Sequence, residues 1–264
     1  MTEAIRIPDL ILLGRACPEP LADGRVTVCA AGWSAEYGFI RLYPTRPDTP
    51  MSVWDIIDVE VEKNPQDTRD ESWKIAGSKG QWASLADKVE VVGRIEDRAK
   101  RRNILGSVAS TCVKVVNGAK KSLGIIKPSQ IHRTYFSENA RYGKLYQLAL
   151  SQFTDLDKYQ VKRDFPEEPR VEYTCPDCQT AQQKHDQQIL DWGFYEWFRK
   201  NPEEREQVWE NAGFLSEKAD LYFLVGNQRP IGPLFSSSVC CVFLPGLLIY
   251  LCSNPGLTPC TKST

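Results

Sequence analysis

The stretch "RVTVCAAGWSAEYGFIRLYPTRPDTPMSVWDIIDVEVEK", Arg25–Lys63, decides the fold. Its apolar runs are short and rich in branched and aromatic residues, and Gly, Pro, Asp and Ser punctuate them. Such runs read as strands joined by turns. In "DVEVEK" the alternation is clean: Val59 and Val61 face one way, Asp58, Glu60 and Glu62 the other. "LILLG", from Leu10, precedes the stretch and "KVEVVGRI", Lys88–Ile95, follows it. Four strands within 63 residues predict an antiparallel meander or small barrel.

From Glu96 the period changes. Leu105, Val108, Cys112, Val115 and Val116 recur at helical spacing, and Gly118 is placed to end the helix. "SLGIIKP", from Ser122, reads as a buried strand. "EYTC", Glu172–Cys175, is a short strand, and "KHDQQILDWGFYEWFRK", Lys184–Lys200, an aromatic helix. "NPEEREQVWENAG" is a second helix with Asn201 as cap, Pro202 at its first position, Glu204 completing a capping box and Gly213 closing it. "DLYFLVGN" ends in a strand. The expected class is α+β: an N-terminal small β-barrel over 1–95, a helical linker with a zinc-knuckle subdomain over 96–228, and an atypical apolar tail over 229–264.

That tail carries no charge from Ile231 to Thr261 and holds four of the nine cysteines. Pro245 and Gly246 break its apolar run, which is too short for a membrane span. It reads either as a buried terminal hairpin or as a segment foreign to the rest of the fold.

Composition narrows the function. The 264 residues carry 33 basic and 34 acidic side chains, so a generally basic coat is excluded and any nucleic-acid contact must be local. The N-terminus shows no signal peptide, and nine cysteines without one point to a reducing, cytoplasmic setting where thiols serve as metal ligands. GxGxxG, P-loop, GxSxG and HExxH patterns are absent, and the two histidines leave little material for a Ser-His-Asp or Cys-His mechanism.

"CPDCQTAQQKH", Cys175–His185, is the strongest chemical signal. A Cys-x2-Cys turn aims two sulfurs at one point, and thiolates suit zinc. His185 supplies a third ligand. The fourth is left open: Asp186 and Asp191 are near in sequence, Cys112 and His132 distant. In "DTRDES", Asp67 and Glu71 flank Arg69 at period two, where carboxylates can aim a guanidinium or bind a metal. In "GFIRLYP", Arg41 and Tyr43 share a strand face, the make-up of a stacking platform for nucleic acid. Arg98, Lys100, Arg101 and Arg102 enter a helix at its N-terminus, where cations oppose the dipole and an anionic partner offsets that cost.

These motifs occur in an ordered set over about residues 10 to 227: Cys29-x-Ala-Gly32, Arg41-x-Tyr43-Pro44, Asp67-x-Arg69-x-Glu71-Ser72, the Cys175/Cys178/His185 cluster and Asp191-Trp192. The chain thereby resembles a family of uncharacterised bacterial and archaeal proteins. The resemblance implies an OB-like, zinc-containing fold and supplies no activity. The expected function is a zinc-containing, nucleic-acid-associated binding module. One alternative is a metal-dependent hydrolase or nuclease acting at Asp67 and Glu71; another is a protein-interaction adaptor with structural zinc.

Overall fold

The structure is a computed structural model; it describes residues 3–65, 67, 69–143, 155–178, 184–216, 219–227 and 240–243. Its N-terminal half is built from β1 (Ile5–Arg15), β2 (Glu19–Pro20), β3 (Val26–Ser34), β4 (Gly38–Thr45), β5 (Asp55–Lys63), β6 (Ser72–Ile75) and β7 (Val89–Arg94). β1 pairs with β3 on one side and β5 on the other, β3 with β4, β4 with β6 in parallel, and β6 with β5. Five strands therefore close on themselves, which removes the free edges of an open sheet. β2 adds to β3, and β7 adds to β5 outside the closed ring.

Alternation builds the barrel as expected. Val59, Val61, Ile40 and Leu42 point inward and are buried. A 3-10 segment, Lys79–Lys88, brings Trp82 and Leu85 into the same cluster with Ile7, Leu10 and Met51. Each such side chain contributes about 1.5–3 kcal/mol when fully removed from water. Gly32 is required by a close approach: a Cβ there would lie 2.7 Å from the Ile11 carbonyl oxygen and 2.9 Å from Leu10 Cδ1. The Cys-x-Ala-Gly motif thus ends on a residue fixed by packing of β3 on β1.

The second half continues with α1 (Arg98–Val108), β8 (Ala109–Ser110), α2 (Val113–Gly118), β9 (Leu123–Ile126), β10 (Gln130–Glu138), β11 (Glu167–Thr174), β12 (His185–Ile189), α3 (Trp192–Lys200), α4 (Gln207–Asn211), β13 (Phe223–Asn227) and β14 (Cys240–Phe243). Its sheet runs β10-β11-β12-β14-β13-β9-β8. Phe194, Tyr195, Trp209 and Phe214 pack with Tyr173, Ile189 and Phe223 in its core. A third apolar cluster joins the halves: Leu13, Ala31 and Trp54 of the barrel meet Leu105, Ile125, Leu190 and Leu224.

Three expectations are corrected. The helix read across Leu105–Val116 is two helices, broken at residues 109–112 where β8 pairs in parallel with β9. The helix read from Lys184 is a strand to Ile189; Asp191 then caps α3 through the Gly193 amide, at 2.8 Å. Gln187, Gln188 and Ile189 are all buried, so no half-exposed alternation marks this strand. The helix read from Asn201 is a 3-10 turn and the short α4, and Asn201 makes no side-chain cap bond. β14 lies in the uncharged tail and sits between β12 and β13, pairing with both, as the hairpin alternative would have it for these four residues. The rest of the tail lies outside the described residues. Among the described residues no helix is long and apolar enough to cross a membrane.

Candidate metal centre and barrel face

Cys175 directly follows β11 and Cys178 closes the turn behind it, its amide donating to the Cys175 carbonyl at 3.0 Å. His185 opens β12, which pairs antiparallel with β11 and carries the imidazole back over the turn. Cys112 arrives from the break between α1 and α2. One ligand atom from each of Cys112, Cys175, Cys178 and His185 lies within 4.8 Å of all the others. His185 Nε2 is 3.4 Å from Cys112 Sγ and 3.3 Å from Cys178 Sγ. Ligand bonds of the usual zinc length set about 3.5 Å between sulfur and nitrogen across a tetrahedron, so the cluster fits a metal ion.

The surroundings support this donor set. The Cys175 amide donates to Cys178 Sγ at 3.2 Å and the Lys114 amide to Cys112 Sγ at 3.4 Å. Such N–H···S bonds orient thiolate ligands. Burial pushes the Cys175 thiol well above its ordinary range; the Val113 amide opposes this, and the adjacent Cys112 and Cys178 add to it. Burial, with the Lys114 cation behind it, lowers His185 and favours the neutral imidazole that a metal requires. The Thr111 hydroxyl donates to Asp177, tying the segment before Cys112 to the tip of the Cys-x2-Cys turn.

The three expected ligands thus come together, and Cys112 completes a group of four. The other candidates are engaged elsewhere. His132 Nε2 faces Thr174 Oγ1 at 3.3 Å, Asp186 holds Arg170 and Tyr135, and Asp191 caps α3. Spacing alone did not select Cys112, because the helical reading placed it inside a helix; in fact it is the N-cap of α2.

A second set of motif residues gathers on the barrel where β3, β4 and the β5–β6 loop adjoin. Arg69 donates from Nε and Nη2 to the two oxygens of Asp67, and Ser72 Oγ adds a bond of 2.7 Å. Burial disfavours the Asp67 carboxylate, but Arg69 and Ser72 outweigh it and hold the carboxyl well below the usual range. Glu71 accepts the Ser122 amide at 2.7 Å. The two carboxylates are therefore engaged separately, and the only group of metal-ligating side chains among the described residues is the Cys3His cluster.

Arg41 is only 5 % exposed. Its Nη2 donates to the Ser122 carbonyl at 3.0 Å and hydroxyl at 3.1 Å, and its Nη1 to Cys29 Sγ at 3.5 Å. It joins the barrel to the second half and offers no open face to a base, which corrects the expected Arg41–Tyr43 platform. Tyr43 remains half-buried. Burial, together with Cys29 and Glu19, raises its phenol to about 12.

The basic run also divides. Arg101 is buried, donating to the Ile95 carbonyl at 2.6 Å with its guanidinium over Trp54. Arg102 pairs with Asp220 at 3.1 Å. Arg98 and Lys100 stand exposed, and Asp97 caps the helix through the Lys100 amide, putting negative charge at that end.

Residues 7–107 match a family described as a domain of unknown function (DUF8758), which covers the barrel and most of α1, less than half of the chain. Comparison with curated proteins finds no match.

Proposed function

We propose that the chain is a zinc-stapled, OB-like binding module for single-stranded nucleic acid. Strand order carries the reading. The closed strands β1, β3, β4, β5 and β6 are joined in the order first-second-third-fifth-fourth, with the fourth returning to the first. That is the arrangement of the OB barrel, which binds oligonucleotides on its second and third strands and on the loops after its first and fourth. Here those parts are β3, β4 and the loops 16–25 and 64–71, the places that carry Cys29, Tyr43, Asp67 and Arg69.

Tyr43 offers a ring for stacking. Arg69, fixed in orientation by Asp67, adds positive charge beside that face. Arg98 and Lys100 add charge from α1. The four-ligand centre has the closed donor set of a structural zinc site. Asp67 and Glu71 bond to Arg69, Ser72 and Ser122, which favours a binding module over the hydrolase reading.

The test is fluorescence anisotropy with single-stranded oligonucleotides over a salt series. Tyr43→Ala should weaken binding by the worth of one stacked base, about 1–3 kcal/mol, with Tyr43→Phe close to wild type. Arg98→Ala with Lys100→Ala should reduce the salt slope by about 1.4. Absence of binding at low salt, or a Tyr43→Ala variant that binds as wild type, refutes the reading.

A further inference from the structure

Cys112 of the metal centre and Ser122, which touches the barrel, are ten residues apart along the chain, and a series of defined contacts runs from one to the other. Cys112 is at once a ligand in the cluster and the N-cap of α2. α2 packs on β9 so closely that a Cβ at Gly124 would lie 2.7 Å from Val116 Cγ2. The chain between α2 and β9 passes through Ser122. That one residue makes three bonds to the barrel: its amide donates to Glu71 Oε1, and its carbonyl and hydroxyl accept from Arg41 Nη2. Glu71 in turn accepts the Arg41 amide at its carbonyl, at 2.8 Å, and is followed by Ser72, which bonds to Asp67.

We propose that the Cys3His centre is an allosteric clasp on the barrel: metal bound at Cys112 fixes α2 and Ser122, and Ser122 holds the 67–72 loop and Arg41 in register on β4. The inference rests on the metal part of the proposed function and not on nucleic-acid binding. Its physical basis is the length of α2. Six residues form fewer than two turns, too few to persist without tertiary support. The cap sulfur, the Val116–Gly124 contact and the Ser122 bonds supply that support, and the first of them is held by the metal. Releasing Cys112 frees the end of α2 from β11 and β12 and loosens the segment that carries Ser122. The pairings of β1 with β3 and β5 do not pass through this link.

Hydrogen exchange read by mass spectrometry tests the clasp on the full chain, with zinc bound and after removal by a chelator. The expected result is exchange at least tenfold faster at Ser122 and over residues 67–72, with β5 amides at 57–61 unchanged. Cys112→Ser, which keeps a capping oxygen but removes the thiolate, should reproduce the metal-free pattern. Linkage demands the reverse effect. Glu71→Ala, which removes the acceptor for Ser122, should weaken zinc binding about fivefold or more in competition with a chromogenic chelator.

A chain that binds zinc but shows unchanged protection at Ser122 and 67–72 overturns the clasp and leaves the zinc-stapled module standing. Loss of protection through β5 as well means general unfolding and also overturns it. A purified chain that binds no metal overturns both.

Discussion

Replacing Asp67 by Asn separates a structural latch from an open carboxylate. Asp67 is 8 % exposed and accepts two bonds from the Arg69 side chain, one from the Arg69 amide and one from Ser72. Asn preserves size and can still accept from Ser72, but it removes the charge and replaces one acceptor oxygen by a donor. Bonds to a buried charge are worth about 1.5–3 kcal/mol each, and stranding a buried ionic partner costs about 3–5 kcal/mol. The Arg69 side chain is 23 % exposed, so water compensates part of the loss. The expected cost is therefore about 2–3 kcal/mol, or about 5–10 °C in Tm for a chain of this size.

The pH dependence adds a signature. The folded pKa of Asp67 lies below its unfolded value of about 3.9, so its contribution is present above that value and is lost as pH falls through the folded one. The stability gap between wild type and Asp67→Asn should be full at pH 7 and shrink below about pH 4. Denaturant unfolding of both proteins and of an Arg69→Met double-mutant cycle gives the coupling directly. A gap under 0.5 kcal/mol at pH 7 in each of these refutes the latch, as the pair would then behave like exposed surface charges.

Gly32→Ala should destabilise the barrel by about 1–3 kcal/mol in thermal melts, because the nearest obstacle is the Ile11 backbone carbonyl, which cannot rotate away. Stability equal to wild type would mean that β1 and β3 separate at little cost. Ending the chain after Gln228 removes β14 and leaves β12 and β13 without their shared neighbour, so the product should precipitate or lose cooperative unfolding in light-scattering and melting assays. A soluble, cooperatively melting truncation would show that β14 is dispensable.

What the sequence made legible follows from how local each signal is. Period-two alternation in "DVEVEK" and "FIRL" reports which side chains face a core, and Val59, Val61, Ile40 and Leu42 do so. The knuckle was legible because Cys175 and Cys178 are joined by a single turn and His185 lies on the strand paired with β11. Arg41 was misread because what buries it is Ser122, 81 residues away, and alternation cannot say whether the outer face of a strand meets water or another sheet. The strand at His185–Ile189 was hidden for a related reason. Its last three residues, Gln187, Gln188 and Ile189, are buried on both faces, and the aromatic residues that follow share the period of α3. Cys112 was hidden by an apolar pattern that runs through a break in the helix.

The most direct measurement for the whole account is the metal content of the purified chain, by elemental analysis coupled to X-ray absorption at the metal edge. The account predicts about one zinc per chain, with three sulfur neighbours at about 2.3 Å and one nitrogen at about 2.0 Å, and a change to fewer sulfurs in Cys112→Ser. A well-folded chain without metal, or a bound metal whose neighbours are unchanged in Cys112→Ser, would contradict it.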